Sequence, residues 1–529
     1  MTANDRSGFD ALALGLLVVA GLLVVLTFQD YGVTWDEPGL RTYGRMLVDW
    51  YASGFTDGRA FEFANLRYYG GAFDIVATLL EPLAPFDPYA TRHLLGGLIG
   101  MIGLVLAWRL ARRLGSPRAG LLALALLATL PGWWGHMFFN SKDVPFAVGM
   151  LAALAAWIGV LAEWPRPRLR SSMLLGLAVG LTLGIRVGGV LLAVYFALSL
   201  LPVLLETRRR SGWPGVAASL GTGAWRLLPA LPVTVAVLVP AWPWVALAPG
   251  HFLEAIAYLG QFPYSADTIF AGQRYPAPAV PLAYWPTLLV LQLPEVFLLG
   301  LVAAAVTLGL GGAGDRVRRL GVLAIVIAAL FPLAYVLLAR PTAYNVMRHY
   351  IFVLPPLAIL AGLGLDRALE ALRGRARQVA LAVVLAGCLL PALRIVQLHP
   401  YAYVYFNDLS GGVPAAAGRY ELDYWGTSFV ELGRLLDGAL PAHEQVLGLQ
   451  PVPARICGPF ETSQEVMPPS VWPVHHNAPA RLAVAIAIFF CVDPPPGAEI
   501  ARVERLGVPL SRAYRTEPDA VITSFTDRP

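Results

Sequence analysis

Eleven apolar runs, each close to the length of a membrane-crossing helix, recur up to residue 396 and constrain the fold more than any other feature. They lie near 11–28, 90–111, 118–135, 144–162, 171–187, 188–205, 226–246, 284–310, 319–338, 349–365 and 378–396. A bilayer core about 30 Å thick is crossed by about 20 apolar residues in a helix. Lipid offers the backbone no hydrogen-bond partner, and continuous runs of this length fit helices rather than barrel strands. The first run, ALALGLLVVAGLLVVLTF, carries no charge. It is longer than a usual signal-peptide core and no small-x-small cleavage site follows, so it is expected to stay as a span. The chain is 57% hydrophobic and 14% charged, with mean hydropathy +0.61, too little polar surface for a water-soluble globule. The expected fold class is an α-helical polytopic membrane protein with about eleven transmembrane helices.

Arginine sets the expected orientation. RLARRLGSPR, EWPRPRLR, ETRRRSG, GDRVRRLG and DRALEALRGRAR alternate with loops that carry few clustered positive charges. The positive-inside rule places the arginine-rich set, and the N-terminus, in the cytoplasm. The 29–89 loop and the 397–529 tail then lie outside. Within the first loop, LRTYGRMLVDWYASGF is amphipathic and suited to the interface, with Trp50 and Tyr51 as anchors. Two units are expected: 1–396, transmembrane and including the 29–89 loop, and 397–529, a small mixed α/β extracytoplasmic domain. In that tail RLAVAIAIFFC is too short to span and suits a buried strand. Cys388 sits in an apolar run and reads as packing, whereas Cys457 and Cys491 are available for a disulfide if the tail faces an oxidising compartment. No internal repeat is visible.

The net charge of +5 is carried almost wholly by arginine; Lys142 is the one lysine. There is no basic face interleaved with aromatics, so nucleic acid is not an expected partner. No P-loop, strand-linked GxGxxG, Ser-His-Asp motif or His/Cys metal spacing occurs, and no metal site is expected.

Four constellations carry chemistry. Asp36-Glu37, in TWDEPG directly after the first run, puts two carboxylates at the membrane face. One of them is placed to act as general base, or Asp36 simply caps the following helix ahead of Pro38. Asn140-Ser141-Lys142-Asp143 stands at an outer helix end and is either a site or an ion pair with a helix cap. Arg186, in LTLGIRVGGV, has no charged sequence neighbour and needs an anion: a lipid phosphate or a distant carboxylate. Arg348-His349, in YNVMRHY, opens the tenth run and is either a site or part of an interfacial belt with Tyr344 and Tyr350.

TWDEPG, HMFFNSKDVPFAVGMLAAL, YNVMRHYIFVLPPLAILAGLG, YFNDLSGG and ELDYWGTSFVELGRLL, in this order, resemble motifs of the GT-C glycosyltransferases. The closest resemblance is to the protein-mannosyltransferase superfamily, glycosyltransferase family 39 with the bacterial aminoarabinose- and galacturonosyltransferase group, over roughly 10–430. The resemblance implies a GT-C bundle with amphipathic helices in the first outer loop, and transfer of a sugar, with inversion, from a polyprenyl-phosphate donor to a hydroxyl of an envelope lipid, glycan or protein. It implies the outer face of a bacterial inner membrane. Asp36, Glu37 and Asp143 are then the catalytic candidates. Arg186, Arg348, Lys142 and Arg67 are the donor-phosphate candidates; Tyr68, Tyr69, Asn140 and His349 are the substrate-binding ones. Arg67 stands in NLRYYGGAF, where many bacterial relatives carry a Lys-Pro-Pro-Leu-type segment. A single-phosphate leaving group requires no cofactor where arginines take its charge, with a divalent metal as the alternative. The rival class is a polyprenyl-lipid transporter or flippase, which would line a path across the membrane with polar residues; a structural subunit would need no arginines beside carboxylates.

Overall fold

The computed structural model describes residues 3–248, 250–264, 267–309, 315–439, 452–457, 464, 467, 471–475, 482–486 and 497–515. Among the described residues each of the eleven apolar runs is mainly helical. The first is α1 (Ala3–Thr27). The loop after it forms α2 (Glu37–Ala52) and α3 (Ala72–Leu80). α2 buries Leu40, Tyr43, Gly44 and Leu47 on one face, the period-3.6 stripe of its sequence. A Cβ on Gly44 would stand 2.7 Å from the Asp74 carbonyl, so this position lets α2 rest directly on α3. The anchors also meet protein: Tyr51 donates to the Pro240 carbonyl and Trp50 packs edge-on against Phe61.

Next come α4 (Pro88–Leu114), α5 (Pro117–Ala128), α6 (Pro131–Phe139), α7 (Asp143–Glu163), α8 (Leu169–Leu183), α9 (Leu191–Leu227) and α10 (Ala230–Ala241). The short α11 (Pro243–Leu247) and α12 (His251–Gly260) lead to a hairpin of β1 (Asp267–Phe270) and β2 (Gln273–Pro276). α13 (Tyr284–Gln292), α14 (Glu295–Gly309), α15 (Arg316–Ala339), α16 (Leu354–Ala371) and α17 (Gly374–Leu398) complete the bundle.

Among the described residues seven helices are long and apolar enough to cross a bilayer alone. The third and eighth runs are instead bent pairs, α5–α6 by 64° and α13–α14 by 114°. Pro131 and Pro294 sit at these bends, where proline lacks an amide proton and pushes the preceding residue out of helical geometry. α8 and α10 have 15 and 12 residues, shorter than a full crossing.

The central helices are α7 and the 348–371 segment, whose apolar windows are 78% and 89% buried; α1 and α17, at 17% and 11%, are peripheral and turn leucine and valine outward. Without an apolar drive between helices in lipid, close backbone approach at small residues holds such bundles. Gly364 of α16 does this against α14, where a Cβ would run into the Ala304 amide nitrogen. A buried Arg118–Asp366 pair ties α5 to α16, with Nε–Oδ1 at 2.6 Å.

After α17 the chain returns over α6 through residues 399–428, with a short α18 (Gly412–Ala416), and then forms α19 (Phe429–Ala439). The described part of the tail adds β3 (Val452–Cys457), β4 (Val471–His475), β5 (Leu482–Ile486), β6 (Ala498–Arg505) and β7 (Val508–Arg515), ordered β4-β3-β5-β7-β6. β3 pairs in parallel with β4 and β5, β7 antiparallel with β5 and β6, so RLAVAIAIFFC does contribute a strand of a mixed sheet. Cys491 and the Cys457 side chain, and with them the disulfide expectation, lie outside the described residues; Cys388 is a free thiol.

Candidate active site

Residues 312 positions apart meet at one end of the bundle. Asp36 ends the first loop's extended stretch and N-caps α2, but its side chain makes no cap hydrogen bond. It accepts from Arg348 Nη2 at 2.9 Å instead. Arg348 also places Nε 3.5 Å from Asp143 Oδ2 and lies over the Trp425 ring at 3.9 Å. Asp143, the first residue of α7, pairs through Oδ1 with Arg186 Nη2 at 2.6 Å. Asp36, Arg348, Asp143 and Arg186 thus form one alternating chain of charge. Arg186 has the anion that its sequence setting demanded, in the form of a carboxylate.

Lys142 lies at the same place, its Nζ 3.8 Å from the centre of the Tyr69 ring. Among the described residues it has no carboxylate at ion-pair distance. Burial pushes its ammonium down to about 8, with Arg186 adding repulsion. Three cations (Arg186, Arg348, Lys142) therefore face two carboxylates (Asp36, Asp143), an excess of one positive charge. An added anion is the simplest complement to that excess.

The two carboxylates differ in freedom. Asp143 is filled: besides both arginines, Oδ2 accepts from Asn140 Nδ2 at 2.8 Å. Asn140 Oδ1 in turn accepts the Asp143 amide, so Asn140 is a clamp within the site. Asp36 keeps one oxygen without a partner among the described residues, and its side chain is 41% exposed, against 4% for Asp143. Glu37 is 1% exposed and doubly engaged, with Oε1 on His93 Nε2 at 2.9 Å and Oε2 accepting the Thr34 amide at 2.7 Å. It closes the loop that presents Asp36.

Arg67 stands apart from this cluster. It donates to the Phe61 carbonyl and the Tyr68 hydroxyl, and Tyr68 donates to Glu254 of α12 at 3.0 Å and stacks on Tyr258. Tyr69 faces the cluster, with both Lys142 and Arg186 over its ring. His349 packs edge-on against Tyr344, which stacks on Tyr264 with centroids 3.8 Å apart.

Next to these groups lies a cavity of about 270 Å³ between α9, α12 and α15. Tyr69, Arg186, Arg348 and His349 form its polar part; Phe146, Leu191, Leu259, Tyr335 and Phe352 are among its apolar walls. A polar head with apolar walls suits an amphiphile with an anionic group. Among the described residues no three His, Cys, Asp or Glu side chains converge as metal ligands.

Several residues that build the site were not singled out from sequence. ELDYWGTSF supplies three. Trp425 carries Arg348 on its face. Glu421 accepts the Asn345 amide at 2.7 Å, and burial raises its carboxyl to about 8 against the pull of the Thr268 hydroxyl and nearby amides. Asp423 binds Tyr403 and the Ser428 hydroxyl, and burial raises it to about 6. His136 bonds Tyr424 at 2.9 Å and accepts from Asn140. The Asp74–Arg92 pair is buried under the first loop. The available signal was carboxylates set among aromatics, which are buried only with partners.

Residues 92–244, which include Lys142, Asp143 and Arg186, match the family model described as dolichyl-phosphate-mannose-protein mannosyltransferase. No curated protein sequence matches the chain. Among solved structures the chain is similar to ArnT from Cupriavidus metallidurans in the apo state, with TM-score 0.51 and 14% identity over 96% of this chain and 98% of that one. It is also similar to the apo oligosaccharyltransferase of Archaeoglobus fulgidus, with TM-score 0.50 and 12% identity over 88% of this chain and 64% of that one. At such identities the likeness carries the fold. The chain has the GT-C fold, and residues 92–244 carry its sequence likeness to the mannosyltransferase family.

Proposed function

We propose that the chain is an integral-membrane glycosyltransferase that moves a sugar from a polyprenyl-phosphate donor to a hydroxyl of an envelope lipid, glycan or protein. The observation that carries this reading is the chain of charge from Asp36 to Arg186, with its excess cation, at the polar part of an apolar-walled cavity. The GT-C fold and the family match support a membrane glycosyltransferase, and the family's description names a lipid-phosphate sugar as donor.

Asp36, half-open and oriented by Arg348, takes the proton of the attacking hydroxyl, a step worth about 10²–10⁴ in rate for a positioned base. Attack from the Asp36 side, opposite the departing phosphate, inverts the anomeric carbon. Arg348, Arg186 and Lys142 take up the charge that grows on the phosphate, already aimed and partly desolvated. Asp143 and Asn140 hold the two arginines, and Glu37 holds the loop. Tyr69 and His349 line the donor's path. The five arginine-rich loops support a cytoplasmic N-terminus, a periplasmic tail and a site on the outer face, in keeping with an inner-membrane enzyme. The flippase alternative is disfavoured by the central helices, since α7 is apolar from Val144 to Leu161 and offers no polar path.

The test is titration of purified protein with undecaprenyl phosphate. Saturable binding that Arg186→Ala and Arg348→Ala both weaken supports the reading, and binding indifferent to both removes its basis.

A further inference from the structure

Arg348 is aimed by a backbone turn that its own sequence does not favour. Asn345 and Val346 have φ of +56° and +48°, two successive non-glycine residues in the left-handed region. For a β-branched valine this is a true outlier, which persists only where the surroundings over-determine it. Asn345 is 1% exposed, and neither atom of its side-chain amide has a partner, so its side chain does not fix the turn. Its backbone N–H does: it donates to Glu421 Oε2 at 2.7 Å, across 76 residues of sequence. Glu421 is itself 1% exposed, and the Thr268 hydroxyl with the Val346 and Ile269 amides also faces its carboxyl, so it ties the turn to β1. The turn then closes through the Arg348 amide, which donates to the Asn345 carbonyl at 3.2 Å. Glu421 is therefore linked to the Arg348 backbone through one residue, while touching neither Asp36 nor the cavity.

We propose that Glu421 is a positioning residue for Arg348: its carboxyl oxygen holds the Asn345–Val346 turn in the left-handed form that sets the guanidinium between Asp36 and Asp143. This rests on the phosphate-site reading of Arg348. A neighbouring brace limits the alternatives, since Tyr344 stacks on Tyr264 and Thr342 donates to the Phe262 carbonyl. Those contacts fix the start of the loop but not the turn itself.

The experiment measures undecaprenyl phosphate affinity and thermal midpoint on purified, full-length Glu421→Gln, Glu421→Met and Glu421→Asp, each alone and with Arg348→Ala. Glutamine keeps an acceptor oxygen and should bind within about threefold of the parent. Methionine fills the space without an acceptor and should weaken binding by about ten- to hundredfold, the scale of one orphaned buried amide. A residue that acts through Arg348 has nothing further to lose once Arg348 is gone, so Glu421→Met should change little in the Arg348→Ala background. If the methionine variant does not fold, Glu421→Asp, which draws the oxygen back by one methylene, carries the same readouts. Unchanged affinity in a folded Glu421→Met or Glu421→Asp, or an equal loss with and without Arg348, overturns the proposal. Absence of lipid binding by the parent protein, or a parent-like Arg348→Ala, would instead overturn the phosphate-site reading beneath it.

Discussion

Replacing Arg348 by alanine removes a side chain that touches both carboxylates of the site. The guanidinium bonds Asp36 at 2.9 Å, stands 3.5 Å from Asp143 and covers Trp425 at 3.9 Å. Its side chain is 10% exposed, so little water screens these contacts. Truncating one partner of a buried, hydrogen-bonded charge pair costs about 2–5 kcal/mol. That corresponds to a loss of roughly 30-fold to several thousandfold in lipid-phosphate affinity. The lower end is expected here, because Asp36 is 41% exposed and water can take over part of its solvation. Lysine at the same position should recover only part of the loss: a single ammonium cannot bond Asp36, approach Asp143 and stack on the indole together. The assay is undecaprenyl phosphate titration beside a thermal melt, on protein that elutes as a folded monodisperse species. A folded Arg348→Ala protein with parent-like affinity would refute the assignment, whatever its melting temperature.

Other expectations follow from the same geometry. Asp36→Asn keeps the size and hydrogen bonding of the side chain but not its basicity, so turnover should fall by about 100-fold or more with lipid-phosphate affinity largely kept, read by single-turnover transfer beside equilibrium binding. Protonated Lys142 is the form that attracts an anion, and its ammonium titrates near 8, so affinity for a phosphodiester donor should be full at pH 7 and fall by up to about tenfold by pH 9. Lys142→Met should bind more weakly and lose that pH step; a step that survives in it would assign the titration elsewhere. Arg67→Ala should leave lipid-phosphate affinity within about twofold and lower the thermal midpoint, because its partners are Phe61 and Tyr68 rather than the charge cluster.

The runs of apolar residues led directly to the helices, because a span must satisfy its own backbone and that demand is local. The bends at Pro131 and Pro294 were present as prolines, yet how far each pair folds back depends on neighbours that no local pattern encodes. In the site, Asp36, Lys142, Asp143, Arg186 and Arg348 were legible because an isolated charge beside an apolar run needs an explanation. Their connectivity was not. That Arg186 answers Asp143, and that Asp36 shares Arg348 with it, is a fact of helix packing. Asp36 and Glu37 are neighbours in sequence, and what separates them in the fold is that His93 and the Thr34 amide bury Glu37 while Asp36 stays open. Glu421 and Trp425 lie in a segment whose resemblance was visible, but their partners, Asn345 and Arg348, come from the distant stretch ahead of α16.

Sugar transfer that depends on Asp36 is read by mass spectrometry of envelope glycans, lipids and glycoproteins from cells with the gene, without it, and with Asp36→Asn. A sugar-mass modification should vanish on deletion, return with the parent gene, and stay absent with an Asp36→Asn protein that is present in the membrane and still binds undecaprenyl phosphate. An envelope identical in all three strains, or full restoration by Asp36→Asn, would contradict it.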